Sequence, residues 1–275
     1  MLSILAKFGD HVKVVAAAKR AVMSRRPCRV ERAAPAPELA AFSHDLPSNY
    51  LTPHTDIVGD IELLRSVFRA CAGRRVQLLY IAGPAGAEGA ADAAGRTGKG
   101  IIAHAANDLC RYYAAREGVQ TKILRVPFLY TVSAALEDPF LAPLFDACST
   151  GSVALQGAQN AAFPLLCAEE LAVLVRRIFD SWDASFETLD VADTFHHTAG
   201  EVGDALKALF PGLAVAYGDS AGYILPASDV ARVRYGWFQR YDLLCDLSTI
   251  QARWDAGRAK KVNPLRAAID RIQMR

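Results

Sequence analysis

DIVGDIELLRSVFRACAGRRVQLLYIAGPAGAEG, residues 56–89, is the stretch on which the fold turns. Ile57, Ile61, Leu64, Val67 and Phe68 recur at the spacing of one helix face, and Gly73 stands where such a helix would stop. A helix is therefore predicted over 56–72. Val76–Ala82, VQLLYIA, then runs apolar without alternation and closes on glycine, as a strand buried on both faces does. A helix feeding a buried strand is the unit of a layered α/β fold.

The unit repeats downstream. IIAHAANDLCRYYAAR, 101–116, predicts a second helix with Gly118 as its stop, and TKILRVPFL, 121–129, predicts the next buried strand. After Tyr130 the elements shorten. Helices are predicted near 139–148, at 169–182 and at 200–209, ahead of a terminal stretch from 228 to 274. Upstream, residues 35–53, PAPELAAFSHDLPSNYLTP, are rich in Pro and Ser without periodicity and read as a loop or linker. Residues 1–54 thus form a basic N-terminal segment and linker, 55–130 an α/β core, and 131–275 a C-terminal subdomain.

A chain of 275 residues with 52% hydrophobic and 22% charged residues can bury a sizeable core without disulfides or metal. A formal charge of +2, spread over interleaved acids and bases, does not supply the clustered positive face of a nucleic-acid binder. The six cysteines show no CxxC pair and read as thiols in a reducing compartment. No apolar run suffices to span a bilayer, so the cytoplasm is the expected location. The Arg-rich, acid-poor start, with Lys7, Lys13, Lys19, Arg20, Arg25, Arg26, Arg29 and Arg32, reads as a solvated basic helix. The same composition suits a transit peptide, which would place the chain in an organelle matrix.

Gly83, Gly86 and Gly89 follow the strand at the spacing that brings backbone N–H groups to a cofactor pyrophosphate. The dinucleotide mechanism also needs those glycines to open a helix and an acidic residue after the next strand to hold the ribose. Residues 90–100, AADAAGRTGKG, are instead interrupted by glycine, and the next strand carries Lys122 and Arg125. Arg125 suits a ribose 2′-phosphate. The run Thr97-Gly98-Lys99-Gly100 lacks the upstream glycine and the following Ser or Thr of a phosphate loop.

In order, these texts resemble the extended short-chain dehydrogenase/reductases, the NAD-dependent epimerase/dehydratase type. Residues 56–72 resemble that family's NVxGTxNLLEAA helix, and VQLLYIAGPAGAEG resembles the strand ending in its serine-rich turn. Leu124-Arg125-Val126-Pro127-Phe128-Leu129-Tyr130 resembles LRxxNVYG, and Tyr235–Leu243, YGWFQRYDL, resembles the LGWxPxxxLxxGL close. The likeness spans roughly 55–260. It implies an incomplete Rossmann-like parallel sheet with helices on both faces, joined to a small C-terminal substrate-type subdomain.

The departures fall on the chemistry. The family's tyrosine and lysine, written YxxxK, exchange the proton at the substrate oxygen. No YxxxK occurs in this chain. Counting back from Leu124-Arg125, the tyrosine position falls near Lys99, the lysine position near Ala103 with His104 adjacent, and the family's serine near Pro84. The opening cofactor-binding strand, turn and helix have no counterpart in residues 1–50, where only HVKVVAAA, 11–18, resembles a core strand, a later one. Candidate residues are thus His104 and Lys99 for catalysis, Gly83, Gly86, Gly89 and Arg125 for cofactor, and Tyr130 for a substrate pocket, with NAD or NADP the cofactor the fold would take. A lone helix histidine is more simply a partly exposed one. His196-His197 beside Asp193 reads as a surface turn rather than a metal site, since adjacent strand residues face opposite sides. The expectation is a catalytically inactive binding or assembly module, oligomeric through helices 57–68 and 101–113. The alternative is an NAD(P)-dependent oxidoreductase or epimerase with non-standard residues, or one completed by a partner chain.

Overall fold

The computed structural model describes residues 12–16, 38–43, 57–72, 76–83, 98–133, 138, 140–155, 157–183, 186–191, 195–219 and 228–273. In chain order the elements are β1 (Val12–Ala16), β2 (Glu38–Ser43), α1 (Ile57–Cys71), β3 (Val76–Ala82), α2 (Gly98–Glu117), β4 (Gln120–Arg125) and β5 (Phe128–Tyr130). There follow α3 (Leu141–Ser149), β6 (Ser152–Leu155), β7 (Leu165–Cys167), α4 (Ala168–Asp180), β8 (Phe186–Asp190), α5 (Ala199–Leu209), β9 (Ala214–Tyr217), α6 (Val230–Tyr235) and α7 (Leu243–Gln273).

Five strands form one parallel sheet in the order β1-β2-β3-β4-β8. The sheet alternates side chains between two helical layers, as the strand period requires. Leu78, Tyr80 and Ile123 pack with Leu64 and Phe68 of α1 and with Cys110 and Tyr113 of α2. The intervening Leu79, Ile81 and Leu124 pack with Leu171, Leu174 and Ile178 of α4. Burial on both faces explains why β3 reads as a continuous apolar run. The Phe68 and Tyr113 rings stack at 5.0 Å and 12°, joining α1 to α2 over the sheet. This is the expected parallel α/β sheet with helices on both faces.

Two corrections concern strands. The stretch read as linker contains β2, whose ELAAFS pairs with β1 and β3. The prolines on either side that suggested a loop, Pro37 and Pro47, flank the strand in sequence and neither falls within it. The strand predicted over 121–129 is two strands that part at Pro127. Up to that point Val126 N–H still bonds Ala82 O at 2.9 Å, whereas Phe128 N–H turns to Pro164 O at 3.1 Å. Proline has no N–H to continue the first ladder, so β5 leaves to pair with β7. HVKVVAAA does hold a strand, β1, which among the described residues lies at the margin of the sheet beside β2.

The second core lies beneath β5 and β7. There α3, α5 and α7 enclose Phe140, Phe145, Phe163, Leu206 and Trp254, with the β6–β9 pair alongside. Gly203 lets α5 lie close on β9: a Cβ there would stand 2.3 Å from the Tyr217 hydroxyl. No helix among the described residues is long and apolar enough to cross a membrane.

Candidate functional site

Ligands of parallel α/β sheets bind beyond the carboxyl ends of the strands, where strand order reverses and opens a crevice. Here β3 ends at Ala82-Gly83, β4 at Arg125 and β8 at Asp190. The doubly wound dinucleotide fold runs 3-2-1-4-5-6 and reverses beside its first strand. Among the described residues the order does not reverse, and β1 has a strand on one side only.

Arg125 and Asp190 are register partners on neighbouring strands. The Arg125 Nη2 donates to Asp190 Oδ2 at 2.7 Å, and Nε lies 2.6 Å from Oδ1 in an off-line contact that adds charge attraction without a hydrogen bond. The guanidinium considered for a ribose phosphate is therefore already engaged by a carboxylate. Gly83 follows β3 directly and is half-buried. Gly86, Gly89 and Pro84 lie outside the described residues. Lys99, Ala103 and His104 fall on the first turns of α2, and their side chains also lie outside the described residues. Of the residues considered for a dinucleotide, the one whose side chain is described, Arg125, is paired with Asp190.

Tyr130 ends β5 with its side chain fully enclosed. Its hydroxyl has no hydrogen-bond partner among the described residues. Burial, reinforced by Cys167, Asp246, Glu170 and Asp242, pushes the phenol far above its usual range. In this conformation it touches no solvent, and contact with a substrate would need the surrounding elements to open.

Around Tyr130 the structure assembles a polar cluster that sequence reasoning did not single out. Glu169 and Glu170 open α4. The Glu169 carboxylate accepts from Ser133 N–H at 3.0 Å, Ser133 Oγ at 2.6 Å and Cys167 Sγ at 3.0 Å. Glu170, nearly buried, accepts from the backbone N–H of Arg240 at 2.7 Å and Tyr241 at 3.2 Å. His197, read as a surface turn, is largely enclosed, with Nε2 2.6 Å from Asp242 Oδ1. Its neighbour His196 takes a left-handed φ of 53°. The available signals were the acidic pair before an amphipathic helix and an Asp four residues ahead of another.

Among the described residues no three His, Cys, Asp or Glu side chains converge as a metal site. A concavity of about 330 Å³, lined by Arg111, Ala114, Ala115 and Phe186, lies at the amino end of β8. That is the wrong end of the strands for a ligand crevice, and the Arg111 guanidinium there rests 5.6 Å from the Phe186 ring centre.

Comparison with solved structures places this arrangement. A UDP-glucuronic acid 4-epimerase from Bacillus cereus, in complex with UDP-glucuronic acid and NAD, superposes with a TM-score of 0.58 at 11% identity, over 79% of this chain and 74% of that one. A dTDP-glucose 4,6-dehydratase from Streptomyces venezuelae gives 0.59 at 11%, over 78% and 72%. MoeE5, in complex with UDP-glucose and NAD, gives 0.60 at 18%, over 80% of both chains. The chain has the fold of the extended short-chain dehydrogenase/reductases. At these identities the likeness speaks to the fold alone. No family model matches the sequence, and no curated protein matches it.

Proposed function

We propose that this chain is an NAD(P)-dependent epimerase/dehydratase-like protein without catalytic activity, serving as a binding or assembly module. The observation that carries the reading is the sheet order β1-β2-β3-β4-β8, in which the reversal that opens a dinucleotide crevice is missing among the described residues. Lys99, Ala103 and Pro84, near which the positions of the family's tyrosine, lysine and serine fall, point the same way. Assembly would use α1 and α2 over 57–68 and 101–113, where Tyr112 is exposed beside the enclosed Tyr113. The experiment is mass spectrometry of the purified full chain for retained nicotinamide, with turnover assays on nucleotide sugars. Neither cofactor nor turnover is expected; stoichiometric NAD or NADP would overturn the reading.

A second reading is favoured by the neighbours solved with NAD and a nucleotide sugar, and by a β1 unpaired on one side among the described residues. In it the chain is an NAD(P)-dependent oxidoreductase or sugar-nucleotide epimerase/dehydratase, with non-standard residues such as His104 and Lys99, or completed by a partner chain. His104→Ala would then abolish turnover; activity that survives it would remove that residue from the chemistry.

A further inference from the structure

Six large apolar side chains are exposed among the described residues, and five of them, Val173, Val230, Val233, Phe238 and Tyr241, lie on α4, α6 and the strap 236–242 that joins α6 to α7. Scattered exposed apolar residues are ordinary, whereas their concentration in one part of a fold marks a surface that meets something. Hydrogen bonds fix how the strap lies. The Arg177 Nη1 donates to Tyr235 O at 2.8 Å and to Gly236 O, where the strap begins. Nearer the amino end of α4, Glu170 O accepts from the Trp237 indole N–H at 3.0 Å. The Glu170 carboxylate accepts from the amides of Arg240 at 2.7 Å and Tyr241 at 3.2 Å, towards the strap's end. The strap therefore runs along α4 in the opposite direction.

Val173 falls between those two ties, on the same face of α4 as Glu170 and Arg177 by helical spacing. In the strap, Trp237 and Gln239 are buried while Phe238 and Arg240 are exposed, the alternation of an extended segment. Val173 is 45% exposed, Phe238 52% and Tyr241 44%. The carboxylates nearby are already engaged: Glu169 by Ser133, Glu170 by the strap amides, Asp242 by His197, Asp180 by Arg176 and Asp229 by Arg232. Two guanidinium groups have no ion pair among the described residues. Arg240 lies over the Phe238 ring at 5.0 Å, and Arg177 has Nη1 alone engaged, by the two carbonyls. The apolar row thus carries unpaired positive charge at both ends.

We propose that this face docks an acidic, apolar peptide segment of a partner protein, with Leu, Phe or Trp side chains on Val173, Phe238 and Tyr241 and Asp or Glu side chains against Arg240 and Arg177. Guanidinium binds carboxylate through paired N–H bonds, and both arginines keep donors for one. A second copy of the chain is the poorer occupant, because a two-fold pairing sets the patch against itself and brings the unpaired arginines together. The face lies on the α4 side of the sheet, whereas α1 and α2 cover the other side. It is therefore separate from assembly through those helices and from any binding of nicotinamide.

Selection of a displayed library of random dodecapeptides on the intact protein tests this, followed by fluorescence anisotropy with the recovered peptides as labelled synthetic chains. The recovered peptides should combine Asp or Glu with Leu, Phe or Trp. Phe238→Ser and Arg240→Glu should each weaken their binding by about tenfold or more. Tyr112→Ser, an equally exposed site on α2, should leave it unchanged. Urea midpoints close to wild type check that the variants fold, and Arg240→Glu decides alone if Phe238→Ser does not. The proposal is overturned by a selection that enriches nothing or enriches peptides of other composition, by binding that Arg240→Glu leaves intact, or by a wild-type dimer that Phe238→Ser dissolves.

Discussion

Lys122 has a fully buried side chain in the middle of β4. Its ammonium lies 2.6 Å from Glu187 Oε2, 3.4 Å from Asp183 Oδ1 and 5.1 Å from the Trp182 ring centre, and Arg234 binds the same two carboxylates. The two ways of breaking this group are unequal. Glu187→Gln strips a buried ammonium of its nearest charge and should cost about 2–3 kcal/mol, since Asp183 remains within reach. Lys122→Met leaves both carboxylates to Arg234 and fills the slot with apolar volume, so it should cost less, about 1–2 kcal/mol. Urea midpoints of the two variants check the order; a costlier Lys122→Met would contradict it. The Arg125–Asp190 pair belongs to the same scale. It ties β4 to β8 at the end where a ligand would enter, so a residue that suited a phosphate in the sequence has a partner in the fold.

At the scale of elements, local signals and long-range pairing diverge. Thr198-Ala199-Gly200-Glu201 forms a capping box at the start of α5: Thr198 Oγ1 accepts from Glu201 N–H at 3.2 Å, and Glu201 Oε2 accepts from Thr198 N–H at 2.8 Å. Thr198→Ala should lower stability by about 1 kcal/mol, read as a shift in urea midpoint with unchanged slope. Unchanged stability would show that α5 is held by packing alone. Helices α1 and α2 and strand β3 were legible because one face of each helix and both faces of the strand are buried, which writes a period into the sequence. Strand β2 was hidden because six residues between prolines carry too little pattern, and pairing with β1 and β3 decides their state. The β4–β5 break was hidden because Pro127 acts through ladder bonds to distant residues. Strand β8, FETLD, alternates weakly, with Glu187 and Asp190 engaged by Lys122 and Arg125, contacts no local reading supplies. The polar cluster around Tyr130 escaped for a similar reason: its members are scattered from 130 to 246, and Glu169, Glu170 and Asp242 each look like ordinary helix-start acids.

For the molecule as a whole, the titrating groups divide by sign. Asp138, which caps α3 through the Phe140 and Leu141 amides, is raised by burial, as are Glu170 and Asp246. A carboxyl raised by folding contributes most when protonated, and that contribution is lost as the pH climbs through its folded value. Asp183, beside Arg234 and Lys122, and Glu201, bonded by Thr198, are lowered, and theirs is lost only as the pH falls below the ordinary carboxylate range. Stability should therefore be greatest near the ordinary carboxylate range and fall as the pH rises above it through the raised groups, and a urea midpoint that climbs steadily from acid to alkaline pH would contradict this. The sheet order sets the larger picture. Among the described residues four parallel strands lie to one side of β1 and none to the other, and the proposed module follows from that order. Thermal unfolding of the full chain with and without NAD and NADP tests this most directly. A nucleotide at a hundredfold excess over its dissociation constant stabilises by about 2.7 kcal/mol, or roughly 5–10 °C for a chain of this size. The account predicts an unchanged midpoint with either nucleotide; a rise of several degrees with one of them would contradict it.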